Sequence, residues 1–254
     1  MASALRLPDQ RTCDSDRDLE QFLGRRIPNR PVKVVVLGAH PDDPETGCGG
    51  TIAKLTGDGH QVTIMYLTRG EAGIKGGDHA TTARLRTAEA NNAAEILGAR
   101  AVFVDQIDGN TSADAHHAEQ FTELLRSLEP DLVFSHWQHD THRDHRNAAE
   151  LTRAAWEALD HSFTLAYYEV MGGIQTYDFQ PNGYVDVSTT EEQKRAAVYA
   201  HVCQRPDRFY PFHVDMEKER GQEAGLSRAE AFRVVRQNGL APVIPFPVRD
   251  GSES

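Results

Sequence analysis

Residues 32–43 read Val-Lys-Val-Val-Val-Leu-Gly-Ala-His-Pro-Asp-Asp, an apolar run that ends at a glycine and then becomes polar. An apolar run bounded by proline and glycine is typical of a strand that is buried on both faces of a parallel sheet. The polar residues follow at the carboxyl end of this strand. Because ligands of open α/β sheets bind at that edge, the stretch indicates both a fold class and the position of a site.

The rest of the chain alternates between short apolar runs and segments with helical spacing. Such alternation predicts an α/β fold, namely a Rossmann-like, doubly wound, mostly parallel sheet with helices on both faces. The predicted strands are Val32–Leu37, Gln61–Leu67, Ala101–Val104, Leu132–Ser135, Thr164–Val170 and Tyr184–Val187. The predicted helices are Gly49–Gly57, Thr81–Leu97, Ala115–Leu128, Asp144–Leu159, Glu191–Cys203 and Arg228–Gln237.

Composition along the chain divides it into three segments. Residues 1–30 are polar and predict an N-terminal leader, and residues 31–240 predict a single domain, which suits a chain of 254 residues. Residues 241–254 contain three prolines and end in polar residues, so we expect a C-terminal tail at the surface.

The charge of the chain argues against two classes of partner. With 27 Lys and Arg against 38 Asp and Glu, the formal net charge is −11. Sequence-independent nucleic-acid binding needs a basic surface, and so does docking on anionic membranes. We therefore expect neither nucleic acid nor membrane as a partner.

The sequence also favours a cytoplasmic location. No apolar run near the N-terminus is long enough to span a bilayer, and no secretory signal is recognisable in the first thirty residues. The three cysteines are odd in number and far apart, so no disulfide framework is expected.

A first polar cluster occupies residues 40–50, directly after the opening strand. Its two neighbouring carboxylates, Asp42 and Asp43, repel each other unless a cation lies between them or one is protonated. A divalent metal bound by His40 and Asp43 would resolve this, with Asp42 free as a base for a water molecule. The alternative is an ordinary polar turn, and the glycines that follow match neither common phosphate-loop pattern.

A second cluster, residues 136–146, follows the fourth predicted strand and contains four of the twelve histidines. If Asp144 opens the next helix, His142 and His145 are three residues apart and can face one cavity. Asp140 and Asp144 could then orient the imidazole rings by hydrogen bonding. The alternative is a solvated, histidine-rich loop.

The two clusters together predict a metal centre. A catalytic zinc ion typically has three protein ligands and an open position for water. His40 and Asp43 supply two ligands, and one imidazole of the second cluster supplies the third. The other imidazole would stabilise charge on the substrate. We expect Zn²⁺, with another divalent ion such as Fe²⁺ as an alternative.

The same residues resemble a known family. His40-Pro41-Asp42-Asp43, the glutamate and glycines that follow, and the later His-x-Asp-His are similar to the LmbE-like (PIG-L) metal-dependent deacetylases. Members include N-acetylglucosaminyl-phosphatidylinositol deacetylase and deacetylases of the mycothiol and bacillithiol pathways. The resemblance extends from Val32 to about Gln237.

The resemblance implies a role for each residue of the two motifs. His40, Asp43 and His145 would be the zinc ligands, and Asp42 the general base. His142 would be the imidazolium that stabilises the oxyanion, while Asp144 would tune or orient a histidine.

The resemblance also implies substrate contacts, namely Arg86 and Asp108 to sugar hydroxyls. The sequence departs from the family at Pro44, which separates the aspartate pair from Glu45, so no role is assigned to Glu45. It departs again at Arg143 and Asp140, where family members often have proline and tyrosine. A site role for His201 stays open.

The resemblance implies a zinc-dependent hydrolase that removes an acetyl group from an N-acetylglucosamine-type substrate. The expected partner is a soluble, small amino-sugar conjugate, and the resemblance implies a homo-oligomer, a trimer or hexamer. One alternative is a metal-dependent amidohydrolase acting on another N-acyl small molecule. Another is a non-catalytic ligand-binding module on the same fold.

Overall fold

The computed structural model describes residues 13–235, with side chains described from residue 17 onward. Seven strands lie in this range: β1 (Lys33–Gly38), β2 (Gln61–Thr68), β3 (Arg100–Gln106), β4 (Leu132–His136), β5 (Thr164–Tyr168), β6 (Gly183–Asp186) and β7 (Ala229–Val234). They form one sheet in the order β3-β2-β1-β4-β5-β7-β6. The first five strands are parallel, and β7 runs antiparallel to both of its neighbours.

Helices cover both faces of the sheet. They are α1 (Cys13–Leu23), α2 (Asp43–Gly57), α3 (His79–Ile96), α4 (Ala115–Leu128), α5 (Arg143–Ala158), α6 (Glu191–Tyr199) and α7 (Tyr210–Ala224), with short 3₁₀ turns at Val202–Gln204 and Pro206–Arg208. Helices α1, α2, α3 and α6 contribute to the apolar core on one face, and α4 and α5 to the core on the other. This architecture confirms the predicted α/β class.

Strand β1 lies at the centre of the sheet, between β2 and β4. Val34 and Val36 belong to the core on one face, whereas Val35 and Leu37 belong to the core on the other. Since both faces are buried, the strand needs the continuous apolar run that the sequence shows. The strand order reverses between β1 and β4, so the loops that follow these two strands meet at the switch point.

The predicted helix Arg228–Gln237 is wrong. Residues Ala229–Val234 form β7, which pairs with β5 and β6 and places Phe232 against Phe134 at a ring-centroid distance of 4.7 Å. A short apolar run is compatible with either a helix or a strand. Here the hydrogen-bonded pairing with β5 on one side and β6 on the other makes it a strand. Helix α7 was not predicted, because its buried face includes the polar His213 and Glu217 and therefore lacks an apolar stripe.

Part of the predicted leader belongs to the folded core. Helix α1 buries Leu19, Phe22 and Leu23 against the sheet, and the Phe22 ring lies 5.7 Å from that of Phe232. Residues 1–30 thus include a packed helix as well as a polar segment. The domain limits at residues 31 and 240 stay predictions, and the tail 241–254 lies outside the described residues.

Among residues 13–235, no helix combines the length and the apolar character needed to cross a bilayer. Cys48 and Cys203 are both free thiols.

Candidate active site

The loop after β1 turns sharply into helix α2. Asp42 adopts φ 112° as the N-cap residue, a positive φ that is rare for a side-chain-bearing residue and concentrates at functional sites. Helix α2 starts at Asp43, six residues earlier than predicted, with Pro44 in its first turn. Gly38 has to be a glycine, because a Cβ atom there would collide with the Pro44 ring. This tight turn holds Asp42 and Asp43 at the carboxyl edge of the sheet.

His40 is fixed by carboxylates around its ring. Its Nε2 lies 3.2 Å from Asp108 Oδ1 and 3.2 Å from Asp144 Oδ2, while its Nδ1 lies 3.3 Å from Asp43 Oδ2. The backbone N–H of His40 also donates to Asp43 Oδ2 at 2.8 Å. Burial lowers the pKa of His40, but the three carboxylates outweigh it and raise that pKa well above its ordinary value.

The loop after β4 places the second histidine pair. His142 is the N-cap of α5, and His145 lies in the first turn of this helix. Asp140 accepts the backbone N–H of His142 and lies 2.9 Å from Nδ1 of His145. Because the carboxylate occupies Nδ1, Nε2 of His145 is left to face Asp43, at 3.4 Å from Oδ2.

Asp43 lies between the other two predicted ligands. Asp43 Oδ2 lies 3.3 Å from His40 Nδ1 and 3.4 Å from His145 Nε2. In a tetrahedral site with bonds of about 2.0–2.1 Å, neighbouring ligand atoms lie about 3.3–3.4 Å apart. The other ring nitrogen of each histidine contacts a carboxylate, as is usual for metal-binding histidines. These donor types suit a divalent metal. Among the described residues, the groups of potential ligand atoms that lie within 4.8 Å of one another do not include this trio but overlap it: His40–His142–His145, Asp43–His136–His145 and His40–Asp108–Asp144.

His136 is an alternative donor in the same place. Its fully buried ring stacks on His145, and its Nε2 lies 3.3 Å from Asp43 Oδ2. That nitrogen, however, accepts the backbone N–H of Ala39 at 3.0 Å, so its lone pair is already used. Burial and the neighbouring His145 lower the pKa of His136 to about 4, so the ring stays neutral. We therefore leave His136 out of the ligand set.

Asp42 has the surroundings of a buried base. Its side chain is 18% exposed, and Arg86 donates to its Oδ2 at 3.1 Å. Burial raises the pKa of Asp42 to about 6, although the positive charge of Arg86 opposes the shift. By contrast, His145 and His136 outweigh the burial of Asp43 and hold its pKa well below the ordinary value. The pKa of Asp42 is thus raised, as suits a base, whereas the pKa of Asp43 is lowered, as suits an ionised metal ligand.

His142 is the most exposed ring of the cluster, with its centroid 4.7 Å from that of His40 and 4.8 Å from that of His145. Its Nδ1 accepts the backbone N–H of Asp144, which leaves the hydrogen of the neutral ring on Nε2. Partial burial and the two neighbouring rings lower the pKa of His142. The lowered pKa and this hydrogen bond favour a neutral ring that donates from Nε2, and the predicted role as an imidazolium stays a prediction.

Asp144 lies under the cluster and does not face solvent. It accepts from Thr111 Oγ1 and from the backbone N–H of Gly109, both at 2.7 Å, besides its contact with His40. These hydrogen bonds outweigh its burial and keep its pKa well below the ordinary value. The geometry suits an orienting group for His40 and ties the β3–α4 loop to the site.

The two predicted substrate residues contact the chain itself. Arg86 is only 3% exposed and donates to the carbonyl oxygens of Pro41 and Gly70 as well as to Asp42. Asp108 accepts from the backbone N–H of Ala72 and faces His40. The predicted contacts of Arg86 and Asp108 to sugar hydroxyls stay predictions. In the structure, Arg86 contacts Asp42 and Asp108 contacts His40.

Residues 35–156 match the family model described as PIG-L, GlcNAc-PI de-N-acetylase. Both motifs, His40–Asp43 and His142–His145, lie within this match to the PIG-L (LmbE-like) family. The resemblance drawn from the two motifs is thereby confirmed.

Relatives match this chain over most of its length. The diacetylchitobiose deacetylase of Thermococcus kodakarensis is 29% identical over 222 residues, which cover 80% of this chain and 83% of that protein. The 4-oxalmesaconate hydratase of Pseudomonas putida is 27% identical over 244 residues, covering 87% and 93%. A solved structure, N,N'-diacetylchitobiose deacetylase from Pyrococcus horikoshii with its inhibitor MPG, superposes with a TM-score of 0.70 at 25% identity, covering 90% and 95%.

Sequence reasoning missed one buried cluster beside the site. Tyr66 donates a short hydrogen bond to Glu45, and His201 Nε2 lies 3.4 Å from the same carboxylate oxygen. All three side chains are fully buried. Burial opposes protonation of His201, but the charges of Glu45 and Asp42 outweigh it and raise its pKa. The sequence singled out Glu45, which follows the aspartate pair, and left a site role for His201 open, but nothing in it linked the two residues to Tyr66.

Proposed function

We propose that this protein is a metal-dependent hydrolase that removes the acetyl group from the amide nitrogen of an N-acetylglucosamine-type substrate. The products are acetate and a free amine. The observation that carries the proposal is the position of Asp43 between His40 and His145, beside a buried carboxyl, Asp42, whose pKa is raised to about 6.

The metal we propose is zinc, held by His40 Nδ1, Asp43 Oδ2 and His145 Nε2. When bound, such an ion acidifies a water molecule and polarises the amide carbonyl. The chain's own part is to hold the three ligand atoms in place, through Asp108 and Asp144 behind His40 and Asp140 behind His145.

Asp42 takes a proton from the attacking water in this proposal. A base works best when its pKa lies near the working pH, and burial moves the pKa of Asp42 in that direction. Arg86 fixes one carboxylate oxygen at 3.1 Å, which leaves the other oxygen to accept the proton. The same carboxyl can then return the proton to the departing amine.

His142 stabilises the negative charge that develops on the carbonyl oxygen. Its neutral ring carries the hydrogen on Nε2, and it is the ring of the cluster that faces solvent. A donor set in advance at the oxyanion position commonly contributes about 3–4 kcal/mol to the stabilisation of the transition state. The work of base and oxyanion donor is thus divided between the two loops.

The test is the release of primary amine from a panel of N-acetylglucosamine compounds, with zinc added and after chelation. The panel runs from the free sugar and N,N'-diacetylchitobiose to inositol- and malate-linked conjugates. We expect metal-dependent release from at least one member. Asp42→Asn should keep the metal and lower kcat by about 10²–10⁴-fold.

Two outcomes would contradict the proposal. Near wild-type rates in Asp42→Asn would remove Asp42 from the role of base. Metal binding at the site without amine release from any member would exclude the amino-sugar deacetylase and direct the search to other N-acyl small molecules. The predicted cytoplasmic location and trimeric or hexameric assembly stay predictions.

A second candidate function follows from the hydratase relative, because the alignment with this chain covers 93% of that protein's length. Addition of water to a carbon–carbon double bond also needs an activated water and a nearby base. Loss of the ultraviolet absorbance of an unsaturated dicarboxylate, without amine release in the panel, would favour this reaction.

A further inference from the structure

The buried cluster of Glu45, Tyr66 and His201 lies beside the site, and no step of the proposed reaction uses it. Glu45 belongs to the first turn of α2, Tyr66 to strand β2, and His201 to the segment between α6 and the 3₁₀ turn that follows it. Tyr66 OH donates to Glu45 Oε1, and His201 Nε2 lies 3.4 Å from the same oxygen. Three elements of the fold therefore meet on one fully buried carboxyl group.

Glu45 lies in the helical turn that Asp42 opens. It follows Asp42 by three residues, and Asp42 is the N-cap of α2. The carbonyl oxygen of Asp42 accepts the backbone N–H of Thr46 at 3.0 Å, so the first hydrogen bond of the helix encloses Glu45. A contact that fixes the Glu45 side chain consequently restrains the backbone of Asp42 as well.

Asp42 needs such a restraint, because it is an unusual N-cap residue. Asp78 and Asp114, the N-cap residues of α3 and α4, have extended backbones and accept the backbone N–H groups of Thr81 and His117. Asp42 instead has φ 112°, and its carboxyl group makes no cap hydrogen bond. A positive φ in a residue with a side chain persists only where the surrounding contacts impose it. The turn thus leaves the Asp42 carboxyl free for other contacts and depends on its neighbours for support.

Tyr66 supports the turn from the side of the sheet. Its backbone pairs in register with Gly38, the last residue of β1, and its ring stacks on Phe103 at a centroid distance of 5.2 Å. Burial, and then the charge of Glu45, raise the pKa of Tyr66 well above its ordinary value. The phenol therefore keeps its hydrogen and remains a donor to Glu45.

His201 supports the turn from the side of helix α3. The backbone N–H of Cys203, two residues later, donates to Glu89 Oε1 at 3.0 Å. Glu89 lies three residues after Arg86 on α3, and Arg86 contacts the Asp42 carboxyl directly. The segment that carries His201 is thus tied to the helix that orients the Asp42 side chain.

We infer that Glu45 is a positioning residue for the base Asp42, with Tyr66 and His201 as the groups that hold it. Arg86 fixes the Asp42 carboxyl, and Glu45 fixes the turn that carries this carboxyl. The inference rests on the proposed hydrolase function, in which Asp42 takes a proton from water. Loss of the restraint should lower kcat and leave KM nearly unchanged, because the base acts in the transition state and not on the bound substrate.

The experiment removes the restraint at either end. Tyr66→Phe deletes one hydroxyl and should lower kcat about 10-fold, whereas Glu45→Ala should lower it about 100-fold, the effect of moving a catalytic group by about 1 Å. Glu45→Gln should recover part of that loss, since its amide oxygen still accepts the hydrogen bond from Tyr66. KM and the metal content of the folded protein should stay near the wild-type values in all three variants.

Tyr184→Phe is the matched control, because Tyr184 is also buried and also donates to a glutamate, Glu223, at 2.9 Å. Both tyrosine substitutions should lower the free energy of unfolding in urea, but only Tyr66→Phe should lower kcat. A merely structural cluster would lose stability and keep the kcat of the folded, metal-loaded enzyme. That result in Tyr66→Phe and Glu45→Ala would overturn the inference.

Crystal structures of Glu45→Ala and Tyr66→Phe separate this inference from the function on which it rests. We expect Asp42 to leave its positive φ or to lose the contact with Arg86 in at least one of them. An Asp42 turn identical to the wild type in both would overturn the positioning role, even in an active deacetylase. A displaced Asp42, together with a wild-type protein that releases no amine from any compound of the panel, would refute the deacetylase and support the positioning role.

Discussion

Helix α2 borders two buried clusters of ionisable side chains. The two clusters differ in which groups balance their charges. At its N-terminus, Asp43 meets His40 and His145. Near its middle, Lys194 lies between Glu217 and Glu230, with Nζ–Oε1 distances of 2.7 and 2.6 Å, and all three side chains are at most 3% exposed.

The second cluster is closed by groups of the chain. The two oxygens of Glu230 accept the backbone N–H groups of Gly50 and Thr51, and Glu217 Oε2 contacts Arg228. In the first cluster the converging atoms are an oxygen and two ring nitrogens that can all present lone pairs. Burial of charge is common to both clusters, so it does not by itself indicate catalysis. Acceptor atoms that face one another indicate instead a site for a cation.

The sharpest test of this difference is His145→Ala. Removing one of three ligand atoms should abolish most metal binding, and activity should fall by more than about 100-fold, beyond the usual cost of losing a supporting residue. Metal content is measured by elemental analysis after gel filtration, together with amine release. An unchanged metal-to-protein ratio would refute the ligand set.

Lys194→Met should break the second cluster without touching the first. It leaves two buried carboxylates without their lysine, which typically destabilises a protein by about 3–5 kcal/mol. The free energy of unfolding from urea titration gives the loss, and the metal content of the folded protein should stay unchanged. Adding Glu217→Gln should recover part of the stability, because one unpaired carboxylate then remains instead of two. A loss below about 1 kcal/mol would show that solvent reaches this cluster.

The same contrast explains what the sequence could predict. His40, Asp43 and His145 come from two short motifs that directly follow strands β1 and β4, and the parallel topology brings such positions together. Lys194, Glu217 and Glu230 come from α6, α7 and β7, and no local pattern links them. Neither α7 nor β7 was predicted, so the contacts among these three side chains could not be predicted from the sequence.

The fold shows the same division between local and long-range information. The apolar run of β1 was sufficient to predict a central buried strand. Arg86, by contrast, was predicted to contact sugar, whereas its guanidinium lies against the first loop, 3.1 Å from Asp42 Oδ2. That contact joins residues 44 positions apart and depends on how α3 packs, which periodicity does not encode.

Within the first cluster, His142→Ala separates catalysis from metal binding. The ring is exposed and donates from Nε2, so we expect metal content to be retained while kcat falls by about 10²–10³-fold. KM should change little, because the lost interaction exists only with the developing oxyanion. Loss of the metal in this variant would instead make His142 a ligand, in the group that it forms with His40 and His145.

The smallest predicted effect concerns His213, which is influenced by both clusters. Burial, and then the charge of Lys194, lower its pKa to about 3, while the charge of Asp43 opposes the shift. The folded protein thus keeps this ring neutral, whereas the unfolded chain protonates it below its ordinary pKa of 6.5. Stability from this residue is complete above that value and falls as the pH drops toward 3.

Between pH 7 and pH 5 the contribution of His213 should fall by about 2 kcal/mol. Urea titrations of the metal-free protein at pH 7, 6 and 5 measure it, since chelation removes any effect of metal release. His213→Leu should have a shallower pH dependence by that amount. Equal pH dependences in the two proteins would mean that this ring is already protonated in the fold. A negative charge near His213 would then have to stabilise the protonated ring. The Asp43 cluster and the Lys194 cluster would in that case be less independent than the contacts of Lys194 suggest.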